Sequence, residues 1–183
     1  MTKIWTPGNR NPFVMPEWFP EPVQNEATSW QKIADRIALR VARIYYPCCF
    51  KDRSMSTLFP NSHFTYLDSD PNSFQNERIS DITIIWDAHN FTCDPPVDLG
   101  ILKNPVILPK LFLNSVKGGW YIVANNHHWI AWLLAREWKS QLLGCESSLY
   151  GWVGSEKALE HLEKEPWSMS FLVADDLYLF AKK

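Results

Sequence analysis

Two short apolar runs restrict this chain more than any other feature. Residues 82–86 read ITIIW, and residues 120–124 read WYIVA. Both are rich in β-branched and aromatic residues and too short for a buried helix, so each reads as a strand. A strand that is apolar on both faces has to be covered on both. This predicts a mostly parallel sheet between helical layers, with the two runs side by side. The second run follows LFLNSVKGG, in which Lys117-Gly118-Gly119 reads as the stop of a helix beginning near Pro109. Gly takes the left-handed conformation there without steric cost, and Pro is tolerated in a first helical turn.

The length of 183 residues suits one domain with a sizeable core. A net charge of −2 gives no bulk electrostatic footprint for nucleic acid. The N-terminus lacks a basic-then-apolar leader pattern, and no apolar run approaches the ~20 residues that span a bilayer, so a soluble cytoplasmic protein is expected. Cys48, Cys49, Cys93 and Cys145 show no CxxC spacing and read as free or buried thiols in a reducing compartment, with no metal expected. The ten Trp read mostly as core fillers.

Residues 1–27 carry Pro7, Pro12, Pro16, Pro20 and Pro22 among Trp5, Phe13, Trp18 and Phe19. The prolines forbid a long helix, and the aromatics argue against a solvated tail. An extended arm is expected here, docking a protein partner or a second copy, with a single domain over 28–183. Residues 28–46 predict an amphipathic helix, with Trp30, Ile33, Ile37, Val41 and Tyr45 on one face and Pro47 as its stop. Residues 64–67 (FTYL) predict a strand closed by Asp68-Ser69-Asp70-Pro71. Residues 98–116 predict two helical pieces around Pro105 and Pro109. Residues 129–143 predict a buried helix, 150–153 a short strand, and 156–164 a helix capped by Ser155. Residues 168–173 and 177–181 predict a terminal hairpin.

The Lys117-Gly118-Gly119-Trp120-Tyr121-Ile122-Val123 segment and the terminal hairpin give the chain a pattern that resembles the second half of a class I S-adenosylmethionine-dependent methyltransferase. The resemblance implies an α/β fold, a three-layer Rossmann-like sheet that is mostly parallel and closes with a C-terminal antiparallel hairpin. It implies S-adenosylmethionine as cofactor, with Asp68 or Asp70 at the end of the family's second strand accepting the ribose hydroxyls. It assigns 82–86 to the family's fourth strand and leaves Asp87, His89 and Asn90 over the cleft as candidate catalytic residues. Methyl transfer needs an aligned nucleophile more than acid–base chemistry, so such positioning groups suffice.

The family's first strand and its Gly-x-Gly turn have no counterpart in this reading, which makes the domain abridged. The expected function is therefore a non-catalytic binding or regulatory module. The alternative is a small methyltransferase. Asp94-Pro95-Pro96-Val97 resembles the Asp/Asn-Pro-Pro-aromatic loop of amino-methyltransferases, which implies a nucleic-acid base amino group as one candidate acceptor. Asn125, Asn126, His127 and His128 follow the second apolar run. There they read either as a ligand rim shared with His89 or as polar caps of strand and helix ends.

Overall fold

The structure is a computed structural model that describes residues 25–37, 40–49, 52–68, 82–85, 92–103, 109–126, 129–138, 140–147, 150–164 and 176–183. The strands are β1 (Arg43–Pro47), β2 (His63–Leu67), β3 (Ile82–Ile85), β4 (Val97–Leu102), β5 (Val116–Ala124), β6 (Gln141–Ser147), β7 (Gly151–Gly154) and β8 (Leu177–Ala181). The helices are α1 (Asn25–Arg36), α2 (Ser54–Leu58), α3 (Pro109–Leu113), α4 (Ile130–Arg136) and α5 (Ser155–Lys164). The strands form one sheet in the order β3-β2-β1-β4-β5-β8-β6-β7. The pairs from β3 through β5 are parallel, while β8 and β7 run antiparallel to their neighbours.

The sheet is the middle of three layers. On one face Trp30 and Ile33 of α1 and Met55 of α2 pack on Ile44, Tyr46, Phe64, Tyr66, Leu99 and Val123. On the other, Phe112 of α3, Ile130 and Leu134 of α4, and Ala158 and Leu162 of α5 pack on Tyr45, Ile122, Tyr178 and Phe180. Successive residues Ile44, Tyr45 and Tyr46 thus serve alternate layers, as a strand dictates.

The expected helix over 28–46 divides. Its first half is α1, with Trp30 and Ile33 fully buried. Its second half holds β1, the strand between β2 and β4. Ile44, Tyr45, Tyr46 and Pro47 are all buried, and the register runs from Arg43↔His63 to Pro47↔Leu67 on the β2 side. Local periodicity at Val41 and Tyr45 fits a helix, but the run Ile44-Tyr45-Tyr46 also fits a strand buried on both faces. Pairing on both sides decides between them.

Two further strands replace expected helix. Over residues 97–102 the chain forms β4, buried throughout, where a helical piece was expected from residue 98. Asp98 disguises it, because a carboxylate in a central strand looks disqualifying. Its oxygens, however, accept from the Ala42 N–H at 2.9 Å, the Arg43 N–H at 3.0 Å and the Lys117 ammonium at 2.5 Å. Gly100 lets Phe112 lie directly on this strand; a Cβ there would stand 2.2 Å from Phe112 Cζ. The expected helix over 129–143 ends at Arg136, and Gln141–Ser147 is β6.

Lys117-Gly118-Gly119 does not stop a helix either. It lies inside β5, with Gly119 at φ 77° and its N–H donating to the Lys182 carbonyl at 2.8 Å. Left-handed backbone inside a strand makes a bulge. The β4–β5 register accordingly jumps from Val97↔Val116 to Leu99↔Tyr121.

The run at 82–85 is β3, and it pairs with β2, not with β5. The two runs share a sheet, but β2, β1 and β4 separate them. The antiparallel closure is made by β8 between β5 and β6. Residues 168–173, expected as the other arm of a hairpin, lie outside the described residues, and the described partners of β8 are β5 and β6. No described helix is long and apolar enough to cross a membrane.

Candidate functional site

Strand order reverses between β1 and β4. The chain goes outward from β1 to β2 and β3 on one side, and from β4 to β5 on the other. Connections leave this point in opposite directions, so the carboxyl ends of β1 and β4 open a crevice, the usual ligand site of such sheets. The described residues there are Cys48, Cys49, Asp52 and Arg53 after β1, Asp68 after β2 and Lys103 after β4.

After Pro47, Cys48 takes φ 55° and donates its N–H to the Leu67 carbonyl at 2.6 Å. A left-handed residue is what a sharp turn out of a strand requires, and here Cys supplies it in place of Gly. Cys49 is buried, with Sγ 4.0 Å from the Leu67 carbonyl and 3.7 Å from Arg53 Nη1. Burial pushes its thiol up to about 12, against the lowering effect of the Arg53 guanidinium, and the nearby Asp68 charge raises it further. Arg53 lies over the Tyr66 ring at 4.5 Å and donates to the Asp52 carbonyl at 2.9 Å.

Asp52 is held by three donors: the Tyr46 hydroxyl at 2.8 Å, the Ser54 N–H at 3.0 Å and the Ser54 hydroxyl at 2.7 Å. Burial, then the Asp52 charge, raises the Tyr46 hydroxyl well above its ordinary range, so Tyr46 stays a donor. Across the crevice, Lys103 Nζ stands 3.7 Å from Asp52 Oδ2; both side chains are largely buried, at 16% and 19% exposure.

Asp68 is 8% exposed and immediately follows β2, the place at which a ribose-binding carboxylate was expected. The other expected site residues fall elsewhere. Asp70, Asp87, His89, Asn90, His127 and His128 lie outside the described residues. The assignment of 82–86 to the family's fourth strand is corrected: β3 is the edge strand, and β4 takes the place given to it. The residue that follows the true fourth strand is Lys103, hidden in the sequence because β4 itself was hidden. Asp94-Pro95-Pro96 precedes β4, at the sheet rim opposite the crevice, so its resemblance to a base-binding loop fails on position. Asn126 Oδ1 accepts the Trp132 N–H at 3.1 Å and so satisfies a first-turn amide of α4, whose N-cap residue is Trp129. Among the described residues no group of three His, Cys, Asp or Glu could hold a metal.

The groups that would face an S-adenosyl group here are the Asp68 carboxylate on the β2 side and the left-handed turn at Cys48 on the β1 side. The residues present fit it there, although a Cys side chain stands where a glycine would leave the backbone bare.

No protein-family model and no curated protein matches the sequence. Solved structures do match in fold. The N-methyltransferase NodS from Bradyrhizobium japonicum WM9 superposes with a TM-score of 0.57 at 12% identity, covering 87% of this chain and 98% of that one. The plantazolicin methyltransferase BpumL, in complex with a monoazolic desmethylPZN analog and SAH, gives 0.53 at 14% identity, over 87% and 86% of the two chains. A SAM-dependent methyltransferase from Geobacter sulfurreducens, with S-adenosyl-L-homocysteine, gives 0.53 at 11% identity, over 86% and 90%. The fold is that of class I methyltransferases, mostly parallel with antiparallel strands beyond β5.

Proposed function

We propose that this protein is a small S-adenosylmethionine-dependent methyltransferase. One observation carries the reading: Asp68, a largely buried carboxylate, ends β2 beside the turn out of β1, at the point where strand order reverses. The sequence pattern favours a non-catalytic module because the family's first strand and its Gly-x-Gly turn have no counterpart in it. β1 supplies a strand at that place, which supports the enzyme reading, while Pro47-Cys48-Cys49 follows it in place of the Gly-rich turn. Neighbours of the same fold bind S-adenosyl-L-homocysteine, which supports the same ligand here.

The cofactor supplies an activated methyl group when bound. Asp68 accepts hydrogen bonds from its ribose hydroxyls, a charge-assisted contact that holds a diol in one orientation. Pro47 and Cys48 form the turn that would border the cofactor when bound. Lys103 and Asn125, at the ends of β4 and β5, border the acceptor side.

Isothermal titration with S-adenosylmethionine and S-adenosyl-L-homocysteine tests the reading. Wild type binds, and Asp68→Ala loses roughly 10- to 100-fold in affinity, since charged hydrogen bonds contribute about 1.5–3 kcal/mol. No heat and no thermal shift for wild type at millimolar ligand refutes it.

A second reading, the non-catalytic module, draws support from Pro47-Cys48-Cys49 in place of a Gly-rich turn. In it the aromatic N-terminal segment docks a protein partner or a second copy. Deleting residues 1–24 then lowers the sedimentation coefficient or abolishes partner capture; unchanged behaviour rejects this role.

A further inference from the structure

We propose that the cavity between α5 and the outer edge of the sheet is a second small-molecule site, which takes a planar aromatic monoanion such as an aryl carboxylate. It is separate from the cofactor crevice and does not depend on the cofactor reading.

A short turn at the sheet edge makes the cavity. β7 is the outermost strand, and α5 starts at the next residue, Ser155. One face of α5 buries Ala158 and Leu162 on the sheet. Lys157, Glu160, His161 and Lys164 recur at three- and four-residue steps beside that face and line the cavity. Its volume is about 490 Å³, within the ~300–1,000 Å³ of ligand pockets. Ser147 at the end of β6 and Asp176 just before β8 also line it, which puts it at the rim that carries the crevice. β5 and β8 lie between β4 and β6. At ~4.8 Å per strand, the two sites are roughly 14 Å apart. Methyl transfer needs reacting atoms about 3–3.5 Å apart, so a ligand confined here is not the acceptor.

Charge and ring chemistry select the ligand. The carboxylates of the cavity are engaged: Glu160 pairs with Lys164, and Asp176 Oδ2 lies 3.2 Å from His161 Nε2. Lys164 does most to hold the Glu160 carboxyl below its ordinary range, and the Lys157 charge adds least. Among the described residues Lys157 has no ion-pair partner. An entering ligand therefore meets one uncompensated ammonium, which favours a single negative charge. The ring partner is Tyr150, which is 75% exposed at the cavity wall. Trp152 borders the cavity too, but the Arg36 guanidinium already covers its ring at 3.9 Å. The Tyr150 ring is thus the one open to stacking, and Cys145 and Val153 add apolar wall.

Cinnamate, cinnamyl alcohol and cinnamylammonium share one planar frame and differ in charge. Calorimetric titration of the full-length protein should show cinnamate binding roughly three- to tenfold tighter than the alcohol, with the ammonium weakest. Lys157→Met should bring cinnamate down to the alcohol and leave the alcohol unchanged. Tyr150→Ala should weaken both by roughly three- to tenfold. Lys110→Met, on α3, should change neither. Both cavity residues are exposed, so the variants should keep the wild-type urea midpoint. Saturating S-adenosyl-L-homocysteine, or Asp68→Ala, should leave cinnamate binding as it is.

No cinnamate binding at millimolar concentration, equal affinity for the three probes, or tighter binding of the ammonium overturns the proposal. So does cinnamate binding that Lys157→Met and Tyr150→Ala leave intact. Displacement of cinnamate by S-adenosyl-L-homocysteine overturns it by placing the probe in the crevice, and the cofactor reading stands. Failure of S-adenosyl-L-homocysteine to bind removes the cofactor reading alone, and the probe and variant series still decides this site.

Discussion

Substituting Asp98 should loosen the centre of the sheet from the rim opposite the crevice. The carboxylate is 2% exposed and ties three strands together. It receives the Ala42 and Arg43 amides where the chain enters β1, sits itself in β4, and pairs with Lys117 of β5. Asp98→Ala leaves both amides without their acceptor and removes the Lys117 counter-charge. Breaking a buried pair costs about 3–5 kcal/mol. The Lys117 side chain is 41% exposed and can return to water, which trims the loss. The expected destabilisation is about 2–4 kcal/mol, from one or two orphaned amides at about 1–3 kcal/mol each. Asp98→Asn keeps a neutral acceptor and should cost about 1–2 kcal/mol.

The pH dependence fixes the cause. Burial pushes the Asp98 carboxyl up, but the Lys117 hydrogen bond and the two amides outweigh it and hold the group below its ordinary 3.8. A depressed folded-state value means that the stabilisation is complete above about pH 4 and is lost as pH falls through the folded value. Urea melts from pH 7 down to pH 3 should show wild type losing stability in the acid range faster than Asp98→Asn. A cost below ~0.5 kcal/mol for Asp98→Ala, the ordinary range for surface changes, would refute the clasp. So would identical acid-side slopes for wild type and Asp98→Asn.

Two more outcomes follow from the packing. Gly100→Ala should destabilise by about 1–3 kcal/mol in urea melts, because the new Cβ would overlap Phe112 Cζ and Val116 Cγ2; a neutral result would mean α3 moves freely. With a thiol reagent near pH 8, Cys48 should react first, being the least buried of the four thiols. Cys49, Cys93 and Cys145 should lag until unfolding, since burial raises all three, Cys49 to about 12 and Cys93 to about 11. Equal labelling rates in the native protein would contradict their burial.

The amino-acid sequence by itself determined the class of this protein and much of its inventory. Continuous apolar runs could be satisfied only between two helical layers, so a covered, mostly parallel sheet was legible. So were α3, α5, the short β7, and β2 with Asp68 at its end. Turn residues and local apolar spacing mark these elements within a few positions, and nothing distant competes with them.

Tertiary structure decided the rest, and the rest includes the site. The stretches that form β1 and β6 carry helical spacing and become strands because their neighbours bury and pair them on both sides. β4 contains a carboxylate whose partners lie 55, 56 and 19 residues away, so no local reading could see it satisfied. With β1 and β4 unseen, the crevice between them and the facing of Asp52 by Lys103 were unseen as well. Strand order is a choice among non-local pairings. A chain encodes it only through contacts that exist once the sheet is built.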